Sequence, residues 1–411
     1  MFAERLLDTL HASRIRFVSG VPDSILKGFC AALSGDKRFD HVIAANEGGA
    51  LGFAAGNHLA TGLMPVVYLQ NSGLANALNP YLSMCHPAAY DLPMILLVGW
   101  RGQPGISDEP QHRKVGEITL DLLRLMDIDV VTLTSDPNDA LSRLDDALQS
   151  ALERRSSLAI VVPKGILDND AVHSCVSAAD AELRRSDVIK ALLANLHDDD
   201  VVFGGIGHVG RELYAERLLA DGSASTRRMG GRDFLCVGGM GHAHQIAMGY
   251  ARERRGERVW CLDGDGALLM HLGSLSTISR VSSAFVHILF DNGIHASVGG
   301  QPVANADIDY GSVARTLGYQ IVHEVRTHEE LRTTLAELRG ATAPVFVWIR
   351  VSREIVSELP RPKRSLIDLK RTFWSEGQIG ECAERSAAES RPPSNGRLGT
   401  GADLEKTYAQ G

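Results

Sequence analysis

Short apolar segments of strand length alternate along the chain with longer segments whose apolar residues recur at helical spacing. Parallel strands are buried on both faces and need helical crossovers, so this alternation predicts a mostly parallel α/β sheet. In the first half we expect helices such as Asp23–Leu33 and Glu47–Ala60. The expected strands are Arg16–Ser19, His41–Ala44, Met64–Leu69, Met94–Val98, Val130–Leu133 and Ala159–Val162.

A second series of the same kind begins after the polar segment Asp168–Arg185. We expect a helix at Asp187–Leu196, followed by strands near Val201–Phe203, Arg258–Leu262, Phe285–Phe290 and Val345–Ile349. The sequence therefore predicts two α/β domains, residues 1–170 and 186–360, joined by a linker at 171–185. Glu, Ser, Ala, Pro and Gly dominate the remaining residues, so we expect a C-terminal extension at 361–411 that is disordered beyond about residue 375.

Composition narrows the class of protein. The 411 residues include 42 basic and 50 acidic side chains, a net charge of −8, which argues against nucleic acid as a partner. No apolar run approaches the ~20 residues of a membrane helix, and the first residues lack the apolar core of a secretory signal. Six cysteines occur without a CxxC pair, as expected for reduced thiols. These features favour a cytoplasmic protein that binds neither nucleic acid nor membrane.

A Gly-rich turn after a predicted strand is the first motif that carries chemistry. The chain reads Val259-Trp-Cys-Leu-Asp-Gly264-Asp265-Gly266, and Gly264 and Gly266 let the backbone approach a bound anion closely. The N–H groups of Gly266 and Ala267 would open a helix that points at such an anion. Read alone, the motif also fits an ordinary strand-exit turn.

A second strand end supplies a complementary oxygen. Asn292 follows the predicted strand Phe285–Phe290, and 25 residues separate it from Gly266, enough for one helix and one strand. The two turns are therefore expected to meet at the carboxyl edge of a parallel sheet. Mg²⁺ prefers hard oxygen ligands and keeps diphosphate oxygens among them, so Asp265 and Asn292 predict a magnesium–diphosphate site.

This pair of turns resembles the metal and diphosphate motif of thiamine diphosphate (ThDP) enzymes. The resemblance implies ThDP and Mg²⁺ as cofactors, with the backbone carbonyl of Ile294 as a metal ligand beside Asp265 and Asn292. It also implies two ThDP-binding domains, the first for the pyrimidine ring and the second for the diphosphate. The implied cofactor-binding residues of this segment are Gly264, Asp265, Gly266, Ala267 and Asn292.

ThDP enzymes need a buried glutamate that hydrogen-bonds the aminopyrimidine ring and activates the cofactor. The resemblance matches this residue to Glu47, in Val42-Ile-Ala-Ala-Asn-Glu47, where Gly48, Gly49 and Ala50 are expected to leave room for a planar ring. Without that context, a glutamate at this position is a helix N-terminal charge favoured by the helix dipole.

The segment Gly238-Gly-Met240-Gly241 is similar to the loop that bends the cofactor in related decarboxylases. The resemblance implies that the Gly238 carbonyl accepts a hydrogen bond from the 4′-amino group of the cofactor. It also implies that Met240 supports the bent conformation of the cofactor. The alternative is a Gly-rich turn with a core methionine.

Length and local strings narrow the family further. The chain is too short for the middle domain of larger ThDP decarboxylases, and its strings are similar to those of phosphonopyruvate decarboxylases and their sulfopyruvate relatives. The resemblance implies decarboxylation of 3-phosphonopyruvate to phosphonoacetaldehyde and CO₂, in phosphonate biosynthesis. The strings are Ser19-Gly-Val-Pro-Asp-Ser24, Gln70-Asn-Ser-Gly-Leu-Ala-Asn76, Gly99-Trp-Arg101-Gly-Gln-Pro-Gly, Asp108-Glu-Pro-Gln-His112, Asp291-Asn-Gly and Gly299-Gly-Gln301.

Two charged or titratable side chains are candidates for contact with the substrate. Arg101 lies on a loop after a buried strand and would hold an anion as a fork. His112 would move protons near neutral pH. Each has a structural alternative, because Arg101 could instead pair with Asp108 or Glu109, and His112 could be a surface histidine.

Three polar side chains that follow strands complete the predicted substrate site: Ser24, Asn71 and Ser72. Each would hydrogen-bond the substrate. The alternatives are that Asp23 and Ser24 cap a helix and that Asn71 and Ser72 belong to a strand-exit turn.

One segment departs from the family pattern. The family reads Thr-Gly-Lys-x-Ser-Arg-Glu-Leu where this chain has Gly204-Gly-Ile-Gly207-His208-Val-Gly210-Arg211-Glu-Leu, so the Lys and Ser are missing. The alternatives are therefore a sulfopyruvate decarboxylase or a catalytically silent ThDP-binding subunit. The same glycines also match the GxGxxG spacing of a dinucleotide binder, but no acid about 20 residues on ends a clear strand.

The resemblance also implies assembly. In ThDP enzymes the cofactor lies between the pyrimidine domain of one chain and the diphosphate domain of another. A chain with one domain of each kind is therefore expected to form a homodimer or a larger homo-oligomer with active sites between chains.

Overall fold

The computed structural model describes residues 2–167, 181–220, 232–254, 256–281, 284–338, 340–341, 343–356 and 358–376. Strands and helices alternate in the first of these ranges. The strands are β1 Phe17–Gly20, β2 Asp40–Ile43, β3 Val66–Gln70, β4 Ile95–Trp100, β5 Asp129–Thr132 and β6 Leu158–Pro163. The helices are α1 Phe2–Ala12, α2 Lys27–Ser34, α3 Glu47–Thr61, α4 Leu74–Pro80, α5 Arg113–Leu125 and α6 Pro137–Arg154.

The first sheet is parallel and buried on both faces. Its strand order is β2-β1-β3-β4-β6-β5. Because side chains alternate between the faces of a strand, Val66 and Tyr68 of β3 enter one apolar cluster and Val67 and Leu69 enter the other. Helices cover both faces, which leaves the loops at the carboxyl ends of the strands as the open edge.

The second half repeats this plan with its own sheet and two further clusters. Its strand order is β11-β12-β10-β9-β7-β8, again with parallel pairs. The strands are β7 Val201–Gly204, β8 Arg232–Leu235, β9 Val259–Gly264, β10 Phe285–Asp291, β11 Ile321–Val325 and β12 Val345–Arg350. The helices are α7 Arg185–Leu193, α8 His208–Ala220, α9 Ala243–Glu253, α10 Asp265–Met270, α11 Tyr310–Leu317, α12 His328–Leu338 and α13 Leu366–Glu376.

The predicted α/β class and the parallel sheets are confirmed, but the strands β8 and β11 lie outside the predicted set. Both are edge strands, so neither needs a continuous apolar run. The charges of β8 have tertiary partners instead. Asp233 accepts two hydrogen bonds from Arg217 at 2.8 Å, and Arg232 pairs with Glu257 at 3.0 Å. None of the described helices is both long and apolar enough to cross a membrane.

The second helix starts later than predicted, at Lys27 rather than Asp23. The Asp23 carboxylate accepts a hydrogen bond from the N–H of Ile25 at 3.1 Å and is buried, so this segment forms a turn before the helix. The N-terminal residue Leu26 provides no side-chain cap. Asp23 and Ser24 are therefore not the helix cap that the sequence allowed as an alternative.

The ordered second half extends past both of its predicted ends. Leu183, inside the predicted linker, is buried in the second core, and α7 begins at Arg185. At the other end, α13 lies in the predicted C-terminal extension, and its Phe373 packs among aromatic rings of the core. Residues 168–180 and 377–411, which include most of the predicted linker and nearly all of the predicted disordered tail, lie outside the described residues.

Replacement of Phe373 by Ala tests whether α13 belongs to the folded core. Phe373 is only 5% exposed and lies 5.5–5.9 Å, between ring centroids, from Phe203, Phe234 and Tyr250. We expect Phe373→Ala to lower the free energy of unfolding by about 3–5 kcal/mol, measured by urea denaturation. Trp374→Ala is the matched control, because Trp374 is 47% exposed. Equal effects of the two changes would mean that α13 does not contribute a buried anchor.

Candidate active site

The two predicted turns meet at one edge of the second sheet. β9 and β10 are neighbouring parallel strands, with Gly264 paired to Phe290, so Asp265 and Asp291 both follow directly. Asp265 Oδ1 accepts a hydrogen bond from the N–H of Gly266 at 2.8 Å, and its Oδ2 accepts one from the N–H of Gly293 at 2.7 Å. The predicted meeting of the turns is confirmed, and the Asp265 carboxylate joins them.

The predicted metal site at this edge holds a second carboxylate, Asp291, beside Asp265. Asp291 is buried next to Asp265, and burial together with this neighbour raises the pKa of Asp265 to about 8. Asp291 accepts a hydrogen bond from Trp348 Nε1 at 2.8 Å and pairs with Arg350 at 3.0 Å. Two buried carboxylates at one point are the donor set that a divalent cation stabilises, so the residues fit Mg²⁺.

The two other predicted metal ligands lie at the same turn. Asn292 is 9% exposed, and its Oδ1 accepts a hydrogen bond from the N–H of Ile294 at 3.2 Å. Ile294 is buried and forms an isolated bridge with Pro302. A side-chain oxygen has lone pairs beyond one such bond, so the Asn292 amide retains capacity for a ligand.

The helix start after the turn also fits a diphosphate. Gly266 has no room for a side chain, because an added Cβ would lie 2.7 Å from Cε1 of the His295 ring. His295 Nε2 and Gln301 Oε1 are buried, and neither has a hydrogen-bond partner within the described chain. Unpaired buried polar atoms are uncommon in folded proteins. A ligand with oxygens and metal-bound water at this edge would provide the missing partners, while Ala267 continues the helix start as predicted.

A buried network supports the strand that carries the Gly264-Asp265-Gly266 turn. Asp263 Oδ2 lies 3.0 Å from His244 Nδ1 and 3.7 Å from His287 Nε2, and all three side chains are fully buried. Burial opposes the charged form, but the hydrogen bond to His244 and the nearby His287 ring hold the pKa of Asp263 below its usual range. His244 Nε2 contacts Ser274 Oγ at 2.6 Å, and His287 Nδ1 contacts Tyr319 Oη at 3.0 Å. These contacts hold the carboxyl end of β9 in place.

Glu47 begins α3, and its carboxylate is buried. Only 5% of the residue is exposed, its Oε2 accepts a hydrogen bond from Asn76 Nδ2 at 2.8 Å, and burial raises its pKa. The space beside it comes from Gly73, where an added Cβ would overlap the Glu47 carboxylate. Gly48 instead packs against α4, with an added Cβ 3.2 Å from the Asn76 carbonyl. Gly73 thus makes room for the carboxylate, while the room for a planar ring beside Gly48, Gly49 and Ala50 stays a prediction.

The two halves of the chain touch next to Glu47, through the side chain of Asn46. Asn46 caps α3 by accepting a hydrogen bond from the N–H of Gly49 at 2.8 Å, and its Nδ2 donates to the Met270 carbonyl at 3.2 Å. On the same side, an added Cβ at Gly238 would lie 3.4 Å from Gln111 Cβ. The helix that presents Glu47 thus faces α10 of the second half within one chain.

The predicted cofactor-bending loop lies at this junction. Gly241 is held against α10, because an added Cβ there would lie 2.9 Å from Met270 Cβ and 3.1 Å from the Ala267 carbonyl. Gly239 and Gly241 both adopt positive φ, which glycine tolerates. Met240 is half-buried. The loop is therefore a constrained turn against α10, and its contact with a pyrimidine ring stays a prediction.

Arg101 is held by the ion pair that the sequence left open as an alternative. Its Nε and Nη2 donate to the two Asp108 oxygens at 2.8 and 2.5 Å, and its Nη1 donates to Ser24 Oγ at 3.1 Å. Beside this pair lies Asp23, whose pKa burial raises to about 6 despite the nearby Arg101 charge. The sequence analysis considered Asp23 only as a helix cap. The signal in the sequence that could have identified Asp23 is its position, because it follows β1 at the open carboxyl edge of the first sheet.

Asn71 has a structural task that the sequence did not reveal. Its Nδ2 donates to the Arg101 carbonyl at 2.8 Å and to Thr119 Oγ1 at 2.9 Å, and its Oδ1 accepts from the Arg101 N–H at 3.1 Å. Both amide hydrogens are therefore used to hold the β4 loop. Ser72 is exposed and accepts a hydrogen bond from Gln70 at 2.5 Å. His112 ends the same loop half-buried, and burial followed by the Arg101 charge lowers its pKa.

Comparisons with known proteins agree with this geometry. The N-terminal TPP-binding domain model of thiamine pyrophosphate enzymes matches residues 1–123, and the C-terminal TPP-binding domain model matches residues 224–349. Thiamine pyrophosphate is ThDP. The chain is 32% identical to phosphonopyruvate decarboxylase from Streptomyces hygroscopicus over 94% of its own length and 98% of that protein.

The chain belongs to the phosphonopyruvate decarboxylase family of ThDP-dependent enzymes. The same name belongs to a relative from Streptomyces viridochromogenes, 32% identical over 87% of this chain and 90% of that one. The beta subunit of sulfopyruvate decarboxylase from Methanothermobacter thermautotrophicus is 33% identical, but over 41% of this chain and 82% of that subunit. The GxGxxG match follows β7, which pairs with β9 in the second sheet, and lies outside the residues that the two domain models match.

In a ThDP-dependent decarboxylase family, the buried Glu47 stays the predicted activating carboxylate. A carboxylate with no cation beside it is costly to bury, and its raised pKa reports that cost. Such groups are candidates for acid–base work. Glu47 lies across from the edge that fits the diphosphate, where it would hydrogen-bond a pyrimidine ring held between the two halves.

Glu47→Gln separates this task from folding. We expect the variant of this ThDP-dependent enzyme to bind ThDP but to lose decarboxylation by about 10²–10⁴-fold, measured at saturating cofactor.

The same substitution tests the pH dependence of stability. Because the pKa of Glu47 in the folded state lies above its value in the unfolded state, ionisation destabilises the fold as the pH rises from the unfolded toward the folded pKa. The variant should therefore be at least as stable as wild type at pH 7 in thermal denaturation, with the advantage vanishing in acid. Full activity, or lost stability, would contradict the assignment.

Proposed function

We propose that this protein is a ThDP- and Mg²⁺-dependent carboxy-lyase that converts 3-phosphonopyruvate to phosphonoacetaldehyde and CO₂ in phosphonate biosynthesis. The observation that carries the proposal is the placement of the buried Glu47 across from the Asp265–Asn292 edge, in a chain related over nearly its whole length to phosphonopyruvate decarboxylases. Bound ThDP supplies the nucleophilic carbon and the electron sink that loss of CO₂ requires.

The residues of the chain divide the remaining work. Asp265, Asn292 and the Ile294 carbonyl hold Mg²⁺, while Gly264, Gly266 and Ala267 present backbone to the diphosphate. Glu47 holds a proton on the pyrimidine ring, and the Gly238 carbonyl accepts the amino group beside it. Met240 would support the bent conformation of the cofactor.

The substrate lies on the loops that follow β1, β3 and β4. His112 is half-buried with a lowered pKa, so it is neutral at pH 7 and can donate or accept a proton near the reacting carbons. Ser24, Ser72 and Arg101 surround this point in our proposal. Asn71 positions the Arg101 backbone through two hydrogen bonds and is itself held by a third, to Thr119. We group the buried Asp23 with these residues, because its pKa near 6 suits proton exchange.

A sulfopyruvate decarboxylase is the second candidate. It is supported by the matches to sulfopyruvate decarboxylase subunits, each of which corresponds to only part of this chain. A catalytically silent ThDP-binding subunit is disfavoured, because Glu47 and the Asp265 edge are both intact in one chain.

An assay with both keto acids tests the substrate. With ThDP and Mg²⁺ present, we expect the purified protein to release CO₂ from 3-phosphonopyruvate and to produce phosphonoacetaldehyde, identified by mass spectrometry. The value of kcat/KM for 3-sulfopyruvate should be lower. A higher value for 3-sulfopyruvate would reverse the two candidates, and inactivity with both would remove both.

Metal removal belongs to the same assay. Chelation should abolish activity, and added Mg²⁺ should restore it, because the divalent ion links the diphosphate to Asp265. Asp265→Asn removes one charge without changing size, and Mg²⁺ should then fail to restore ThDP binding. Asp307→Asn, at an exposed position, is the control that should behave as wild type.

We also propose that the enzyme is a cytoplasmic homodimer or a larger homo-oligomer. The outer face of α3 supports a second copy, because Gly49, Gly52 and Gly56 leave a shallow surface beside Phe53, which is 56% exposed. The four described cysteines are buried free thiols, which suits a reducing compartment. Within the chain, however, the two halves of the site already face each other. A site within one chain is therefore the alternative to a site between two chains.

Mixed oligomers decide between shared and single-chain sites. Glu47→Gln damages the first half of the site and Asp265→Asn the second half. If sites lie between chains, a refolded equal mixture should regain about a quarter of wild-type activity, because half of the dimers are mixed and carry one intact site. No recovery in a mixture that sedimentation shows to be dimeric would place each site in one chain.

A further inference from the structure

Three charged side chains from separate parts of the chain converge beside the proposed active site. Glu109 lies on the loop after β4, Arg211 in the first turn of α8, and Arg361 in the segment between β12 and α13. Glu109 Oε1 is 2.7 Å from Arg361 Nη1 and 3.5 Å from Arg211 Nη2. One carboxylate oxygen therefore faces two guanidinium groups.

The charge at this point is unbalanced. Glu109 offsets one of the two arginines, and the nearby Arg101 is already matched by Asp108. Burial lowers the pKa of Arg211, and the neighbouring Arg361 and Arg101 charges lower it further although Glu109 opposes them. The arrangement thus keeps one net positive charge that Glu109 alone does not offset.

The cluster is joined to the reacting region by one side chain. Gln111 Nε2 donates to Glu109 Oε2 at 2.5 Å, and Gln111 also packs against Gly238. His112 follows directly in the sequence. At the start of α8, His208 Nδ1 is buried with no hydrogen-bond partner among the described residues. Gln111 and Glu109 therefore connect the Gly238 loop to Arg211, at the start of α8.

We propose that Arg211 and Arg361 form the seat for the phosphonate group of the substrate, and that Glu109 occupies this seat until the substrate displaces its carboxylate. The inference rests on the proposed function. It identifies the residues that would bind the phosphonate, the second anionic group of the substrate. Two forked guanidinium groups match a phosphonate dianion in charge and in hydrogen-bond donors. A sulfonate carries one negative charge and satisfies the pair less well.

A purely structural role predicts a different pattern of effects. If Glu109 and Arg361 only linked the two halves of the chain, substitution of either residue would reduce stability by a similar amount. Neither substitution would alter substrate affinity. As a seat, the two residues act in opposite directions on affinity, because Glu109 competes with the substrate and Arg361 binds it. The signs of the KM changes therefore distinguish the roles even when both variants lose a little stability.

The test compares Arg361→Ala, Arg361→Lys and Glu109→Gln in the ThDP- and Mg²⁺-loaded enzyme. We expect Arg361→Ala to raise KM for 3-phosphonopyruvate by about tenfold with a smaller change in kcat. Arg361→Lys should recover part of this loss, and Glu109→Gln should lower KM by about threefold. Arg364→Ala is the matched control, because Arg364 lies in the same segment, is exposed, and bonds Thr372 instead. KM changes of the same sign, or none, in Arg361→Ala and Glu109→Gln would overturn the proposal.

A binding measurement keeps this inference separate from the proposed function. Methylphosphonate, which carries up to two negative charges, should bind the loaded enzyme more tightly than methanesulfonate in calorimetric titration, and Arg361→Ala should weaken its binding. If the wild-type enzyme fails to decarboxylate 3-phosphonopyruvate but binds methylphosphonate in this way, the proposed function fails and the seat stands. Equal affinity of wild type and Arg361→Ala for methylphosphonate would refute the seat.

Discussion

The cost of burying carboxylates is the constraint on which the site depends. Asp265 and Asp291 lie side by side at the ends of neighbouring parallel strands, where water is excluded. Their repulsion is only partly relieved by Arg350 and Trp348, which both contact Asp291. The fold tolerates this because backbone N–H groups of Gly266 and Gly293 stabilise Asp265, and because a divalent cation at this point would relieve what remains. Stability in the absence of the metal is thus given up for a preorganised site.

Five carboxylates at or near the site fall into two groups by the direction of their pKa shifts. Asp263 and Asp108 have direct cationic or imidazole partners that hold their pKa values low, and both serve to fix the geometry of a loop or strand end. Glu47, Asp23 and Asp265 have raised pKa values, with burial as the largest cause in each case. Members of the second group all lie at the open edges of the two sheets. The division separates groups that hold the structure from groups that are available for chemistry.

The region between the two halves of the chain is polar and charged, in contrast to the cores. Asn46 reaches the Met270 carbonyl, Gln111 packs on Gly238, and Glu109 bridges to Arg211 and Arg361. Polar contacts of this kind exchange with water or ligand at lower cost than apolar ones, so the junction can admit a charged substrate. The segment that carries Arg361 is followed by α13, whose Phe373 is buried in the second core, so Arg361 of our proposed phosphonate seat lies close to a firm anchor.

The sequence by itself determined the two parallel sheets, the Asp265–Asn292 edge and the position of Glu47. Each depends on local order: a strand followed by a turn places its polar residues at the carboxyl edge, wherever the rest of the chain lies. It did not reveal that Asp23 is buried, that Gly73 makes room for the Glu47 carboxylate, or that Asn71 is used to hold Arg101. It also left undetermined that Arg361 meets Glu109, 252 residues earlier in the chain. Only the tertiary structure decided these points, because burial and pairing depend on distances between segments that are remote in sequence, and periodicity carries no information about such distances.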